Sequence, residues 1–157
     1  MKLSSFTMAA SLLAGAAFAE PVAPGDVVYD DAGAVAVSLS GTPGDPAEGA
    51  KIMSSRSLGN CVACHQVGAL DAAFQGEVGP ALDGVGEYRS AEDLRGIVAN
   101  AKMMFEGSMM PSFYKTSGYI RPGNAYTGKA AKEEDLEPLL SAQQIEDVVA
   151  FLLTLKN

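Results

Sequence analysis

The chain has 157 residues, 48% of them hydrophobic, with 17 glycines, 8 prolines, no tryptophan and a formal net charge of -8. That length supports one globular domain with flanking segments, not two domains. The acidic balance excludes nucleic acid and anionic membrane surfaces as partners, because both would repel it.

Residues 1–19 place Lys2 ahead of an apolar run and finish on Ala17-Phe18-Ala19, the small-x-small pattern cut by signal peptidase. A signal peptide cleaved after Ala19 is expected, with export to the periplasm. The run from Phe6 to Phe18 is interrupted by Ser and Thr. It falls short of the ~20 residues that span a bilayer, so no membrane anchor is expected and the mature protein should be soluble.

Residues 20–44 are rich in Pro, Gly, Ala, Val and Asp, with one alternation, AVAVSL, at 34–39. They read as an extended arm with at most one short strand, either packed on the domain or meeting a partner. The domain proper, 45–157, opens on DPAEGAKIM, where Asp45 suits a helix cap, Pro46 the first helical position and Glu48 the first turn. A helix from Pro46 to about Leu58 is expected, ended by Gly59 and Asn60.

Residues 66–89 hold the glycine-rich GEVGPALDGVG and no sustained helical period, which predicts a long loop wrapped around something. Ser90 and Asp93 form a capping-box pattern for a second helix ending near Lys102, with Leu94, Ile97 and Val98 on one face. Residues 103–138 are irregular, broken at Pro111, Pro122 and Gly123. Within them, KAAKEEDLEP at 129–138 reads as a solvated insertion. In the last helix Ser141 caps and Gln144 completes the box. Ile145, Val148, Val149, Leu152 and Leu153 make an apolar stripe, with Glu146 and Asp147 on the other side. This helix is expected to run to the C-terminus, with Lys156 at the negative end of its dipole.

Both cysteines and the one histidine of the chain sit together in CVACH, Cys61, Cys64 and His65. A disulfide would leave His65 unused. A redox dithiol needs a strand before the motif and a helix after it, where this chain has a helix and then a glycine-rich loop. Zinc would want four ligands, and there is no second CxxC and no second histidine. Covalent attachment of one haem c uses all three residues: the cysteines at the spacing of two porphyrin vinyl groups, the histidine beneath the iron.

With one imidazole available, the sixth ligand must be a methionine, a less usual group or nothing. Met53 lies on the first helix and Met103 and Met104 close the second, all most simply as packing. Met109 and Met110 lie in a loop, and Pro111 restrains the residue before it, so Met110 is the expected distal ligand. Thioether ligation raises the reduction potential, and filling both axial positions suits electron transfer rather than substrate binding at the iron. A peroxidase-like role, which needs an open iron position and a distal acid or base, is disfavoured.

With CVACH, GEVGPAL, MMPSFY and SAQQIEDVVAFL on the page, the chain resembles the SoxX family, small monohaem subunits of the SoxAX cytochrome complexes of thiosulfate oxidation. The resemblance runs from about Asp45 to Leu155, and the last two motifs are its most specific parts. It implies an all-α, class I cytochrome c-like fold, three to four helices around one covalently bound haem, with an extended N-terminal arm. It implies thioether bonds from Cys61 and Cys64, His65 as proximal ligand, Met110 as distal ligand, and Pro80 giving its carbonyl to the imidazole N–H. It further implies an L-cysteine S-thiosulfotransferase that couples thiosulfate to a cysteine of the SoxYZ carrier protein. The catalytic centre would lie on a SoxA-like cytochrome subunit, with no catalytic residue on this chain, and the electrons would pass to a downstream electron-acceptor cytochrome. The arm at 20–44 is then a candidate strap for the larger subunit. The other reading of the same residues is a free-standing periplasmic electron-carrier cytochrome c.

Overall fold

The structure is a computed structural model that describes residues 20–123 and 127–156; the expected signal segment, 1–19, lies outside them. Among the described residues four α-helices carry the fold: α1 Pro46–Ser54, the single-turn α2 Val85–Tyr88, α3 Ala91–Asn100 and α4 Ala142–Leu152. Short 3₁₀ turns lie at Pro24–Asp26, Cys61–Ala63, Ala101–Met103 and Glu133–Asp135. Among the described residues no helix is long and apolar enough to cross a membrane.

The caps work as their side chains dictate. Asp45 accepts from the Ala47 amide at 2.8 Å, and Ser90 with Asp93, and Ser141 with Gln144, close reciprocal capping boxes. Two helix ends differ from expectation. α1 stops at Ser54 rather than near Leu58, because its end is a serine run: Ser54 bonds back to the Ala50 carbonyl, and Ser55 turns extended toward Ser57. α4 stops at Leu152 rather than at the C-terminus, its last carbonyls being met by the amides of Leu153 and Thr154, so Lys156 stands outside the helix.

α1 crosses α4 at close range. An added Cβ on Gly49 would lie 2.0 Å from the Asp147 carbonyl oxygen and 2.8 Å from the Phe151 Cβ, so only glycine lets the two backbones approach this far. Around that crossing Ile52, Met53, Leu94, Val98, Leu140, Ile145, Val148 and Leu152 form one buried core.

The arm is not free. Val35 and Leu39 are buried, the Val22 amide bonds the Leu39 carbonyl, the Val35 amide bonds the Glu92 carbonyl, and the Tyr114 hydroxyl donates to the Val22 carbonyl at 2.6 Å. The alternation at 34–39 forms no strand: its Leu39 amide is taken by Glu146 of α4 and its Val35 carbonyl by Arg95 of α3. Glu146 and Asp147, set opposite the apolar stripe in the sequence, are buried too, at 5% and 6% exposure. Glu146 takes the Leu39 amide at 2.7 Å and a two-point ion pair from Arg95 at 2.8 and 3.0 Å, while Asp147 takes the Asp45 amide at 2.9 Å.

The segment 129–138 is mostly exposed, in keeping with a solvated insertion, and is tied down where Glu133 accepts from the Gly118 amide. The long loop after the CVACH motif folds back on it: the amides of Gly76, Gly79 and Leu82 bond the carbonyls of Val62, Cys64 and Gln66. The Gln75 side chain closes the loop's own turn on Val67 and Leu70. α2, absent from the sequence expectation, follows Gly84, whose φ of 75° starts the turn.

Candidate functional site

Helix α1 leads into the motif through Asn60, which holds a left-handed conformation with φ 47°. The chain then tightens into the 3₁₀ turn Cys61–Ala63, and the amides of Cys64 and His65 both bond the Cys61 carbonyl. One turn of backbone therefore separates the two cysteine sulfurs, and the imidazole follows directly. Before any bond to a haem forms, burial pushes the Cys61 thiol up to about 11.

His65 Nδ1 stands 2.7 Å from the Pro80 carbonyl oxygen. A carbonyl can only accept, so Nδ1 carries the proton and Nε2 keeps its lone pair for a metal. Gly79 lies flat against the same ring: an added Cβ there would be 2.3 Å from His65 Cε1 and 2.8 Å from Nε2. Gly79→Ala is therefore expected to push the imidazole out of line. The loss is ~1–3 kcal/mol of haem-loaded stability, together with a lower yield of haem-loaded protein, read by thermal unfolding and haem absorbance.

These residues open onto a cavity of about 760 Å³, lined by Cys61, Cys64, His65, Pro80 and Met110. Its walls are otherwise mostly apolar, with Leu94 and Val98 from α3 and Val148 and Leu152 from α4. Among the described lining residues the charged ones are Arg56 and Arg89, in a protein whose acids outnumber its bases 19 to 11. Arg89 is held over the Phe105 ring, 5.7 Å from its centre. Two cysteines and an oriented imidazole at the wall of a largely apolar space with cations on its lining fit a haem, whose macrocycle is apolar and whose propionates are anionic.

The methionines separate by position. Met109 and Met110 both line the cavity, but Met109 is 79% exposed whereas Met110 is half-buried against the core. Met53 also lines it, from within the core. Met104 sulfur is taken by Arg89, and Met103 is half-exposed. The sequence motifs thus bring Cys61, Cys64, His65, Pro80 and Met110 to one space. Gly79, Arg56 and Arg89 escaped sequence reasoning; only the scarcity of basic residues hinted at the two arginines.

A family model described as Cytochrome c matches residues 46–156. Among solved structures, a chain in the crystal structure of SoxXA from P. pantotrophus is 59% identical, with a TM-score of 0.83; the match covers 87% of this chain and 99% of that one. No curated protein matches. The chain belongs to the cytochrome c family, whose members carry covalently bound haem c, and within it to the SoxX group of monohaem electron-transfer subunits.

Proposed function

We propose that Cys61 and Cys64 bind one haem c by thioether bonds, that His65 is its proximal ligand and Met110 its distal one. The observation that carries the wider reading is 59% identity across 99% of a SoxXA chain. In this reading the protein, exported to the periplasm by cleavage after Ala19, is the electron-accepting subunit of a SoxAX-type L-cysteine S-thiosulfotransferase. A SoxA-like subunit joins thiosulfate to a cysteine of the SoxYZ carrier: a carrier thiol and thiosulfate form one S–S bond, releasing one proton and two electrons. This chain takes those electrons singly and hands them to an acceptor cytochrome.

The bound haem supplies a one-electron ferric/ferrous couple. The residues of the chain do the rest. The two cysteines fix the ring to the backbone of the 3₁₀ turn, and the Pro80 carbonyl holds the imidazole in one tautomer and one orientation. Met110 offers a soft sulfur that favours ferrous iron. The apolar walls from α3 and α4 exclude water, which disfavours the extra positive charge of the ferric state and so adds to the potential.

The test is a mixture of the haem-loaded protein with a SoxA-like subunit, a SoxYZ-type carrier and thiosulfate, followed by the visible absorption of reduced haem. Reduction should require the subunit, the carrier and thiosulfate together, and the two cytochromes should co-elute 1:1. A monomer that ignores the SoxA-like subunit and stays oxidised would favour a free-standing carrier.

A further inference from the structure

We propose that Lys102 is a positioning residue for the axial thioether, latching the backbone of Met110 from the 3₁₀ turn that follows α3; this rests on the reading of Met110 as distal ligand. Lys102 Nζ donates to the Met110 carbonyl oxygen at 2.7 Å. That carbonyl belongs to the bond preceding Pro111, so the latch grips the peptide unit whose conformation proline already restrains. The Met110 amide in turn donates to Ser108 Oγ at 3.2 Å.

The neighbouring bonds show which element the loop is fastened to. Ser112 Oγ donates to Asn100 Oδ1 at 2.7 Å, and the amides of Phe113 and Tyr114 bond the carbonyls of Val98 and Ala99. The end of α3 and the turn Ala101–Met103 thus hold residues 110–114, and Lys102 supplies the bond that falls on Met110 itself. Its ammonium forms no ion pair among the described residues. It is committed instead to a neutral carbonyl. Anchoring both flanks of the loop leaves the thioether little freedom to swing away, which is what distinguishes a ligand that holds its place from one that exchanges with solvent.

Because the bond is charge-assisted but exposed, its loss is expected to weaken the hold on the sulfur about five-fold. The experiment uses the haem-loaded, oxidised protein with imidazole as competing ligand, following the near-infrared sulfur-to-iron charge-transfer band. Lys102→Met should keep the band but lose it at about five-fold lower imidazole than the parent protein. Lys102→Arg, which restores a cationic donor, should return the titration to the parent midpoint, and thermal unfolding of the reduced protein should be the same in all three. A Lys102→Met titration equal to the parent's overturns the latch, as does an arginine variant that behaves like the methionine one, or a stability loss matching the affinity change. Persistence of the band in Met110→Ala overturns the ligand assignment itself, a result distinct from failure of the latch.

Discussion

Met110→Ala is expected to abolish the sulfur-to-iron charge-transfer band of the oxidised protein, open the iron to water and exogenous ligands, and lower the reduction potential. The drop should be on the order of 0.1 V, a fraction of the ~0.8 V over which axial ligation sets haem potentials. Met109→Ala should change none of these. The two methionines are adjacent in sequence and both border the cavity, but Met109 is 79% exposed while Met110 packs against the core and is gripped on both its amide and its carbonyl. Potentiometry and near-infrared absorption of the two variants side by side check the assignment. Loss of the band in Met109→Ala alone would move the ligand by one residue.

Glu146→Ala carries the largest expected cost in stability, ~3–5 kcal/mol, because it strands a buried guanidinium. Arg95 and Glu146 have side chains only 9% and 6% exposed and are joined at two points. Removal of the carboxylate leaves Arg95 uncompensated and also orphans the Leu39 amide, which Glu146 Oε1 takes at 2.7 Å. Against the ~5–15 kcal/mol total stability of a domain, that is a large fraction. Glu146→Gln, which keeps an acceptor for the amide, should lose less than Glu146→Ala, and so should the paired replacement Arg95→Met with Glu146→Leu, since the stranded charge goes with its partner even though the Leu39 amide and the Val35 carbonyl lose theirs. Denaturant unfolding of the four proteins gives the ranking. Limited proteolysis should show the arm, residues 20–44, cut faster in Glu146→Ala, because Arg95 also holds the Val35 carbonyl.

The same ion pair marks where sequence reasoning reached and where it stopped. Caps were legible because a capping box is written within four residues, as Ser90 with Asp93 and Ser141 with Gln144. The apolar stripes of α3 and α4 were legible for the same local reason, and so was CVACH, which needs no distant residue to announce its chemistry. The burial of Glu146 and Asp147 was not legible, because nothing local in the sequence names the partners of a carboxylate opposite an apolar stripe. Those partners are 107 and 51 positions away for Glu146, and 102 away for Asp147. The arm was ambiguous for the complementary reason, since its backbone bonds go to α3, to α4, to Tyr114 and back within the arm itself rather than to a neighbouring strand.

Cys61, Cys64, His65 and Met110, which line the cavity, were candidates from spacing and from Pro111. The residues that hold them were not. Gly79 matters through a contact with the His65 ring that follows from how the loop folds back on the motif. Lys102 matters through one carbonyl eight positions away, a distance at which a helix end and a loop meet only in three dimensions.

The claim on which all the rest depends is that Cys61, Cys64 and His65 hold one covalent haem. Mass spectrometry of the purified, protease-digested protein after extraction with acidified organic solvent tests it most directly. The account predicts a single haem retained on the peptide containing Cys61 and Cys64, with one thioether bond lost in Cys61→Ala. A haem-free peptide carrying two free thiols, or a Cys61–Cys64 disulfide, would contradict it.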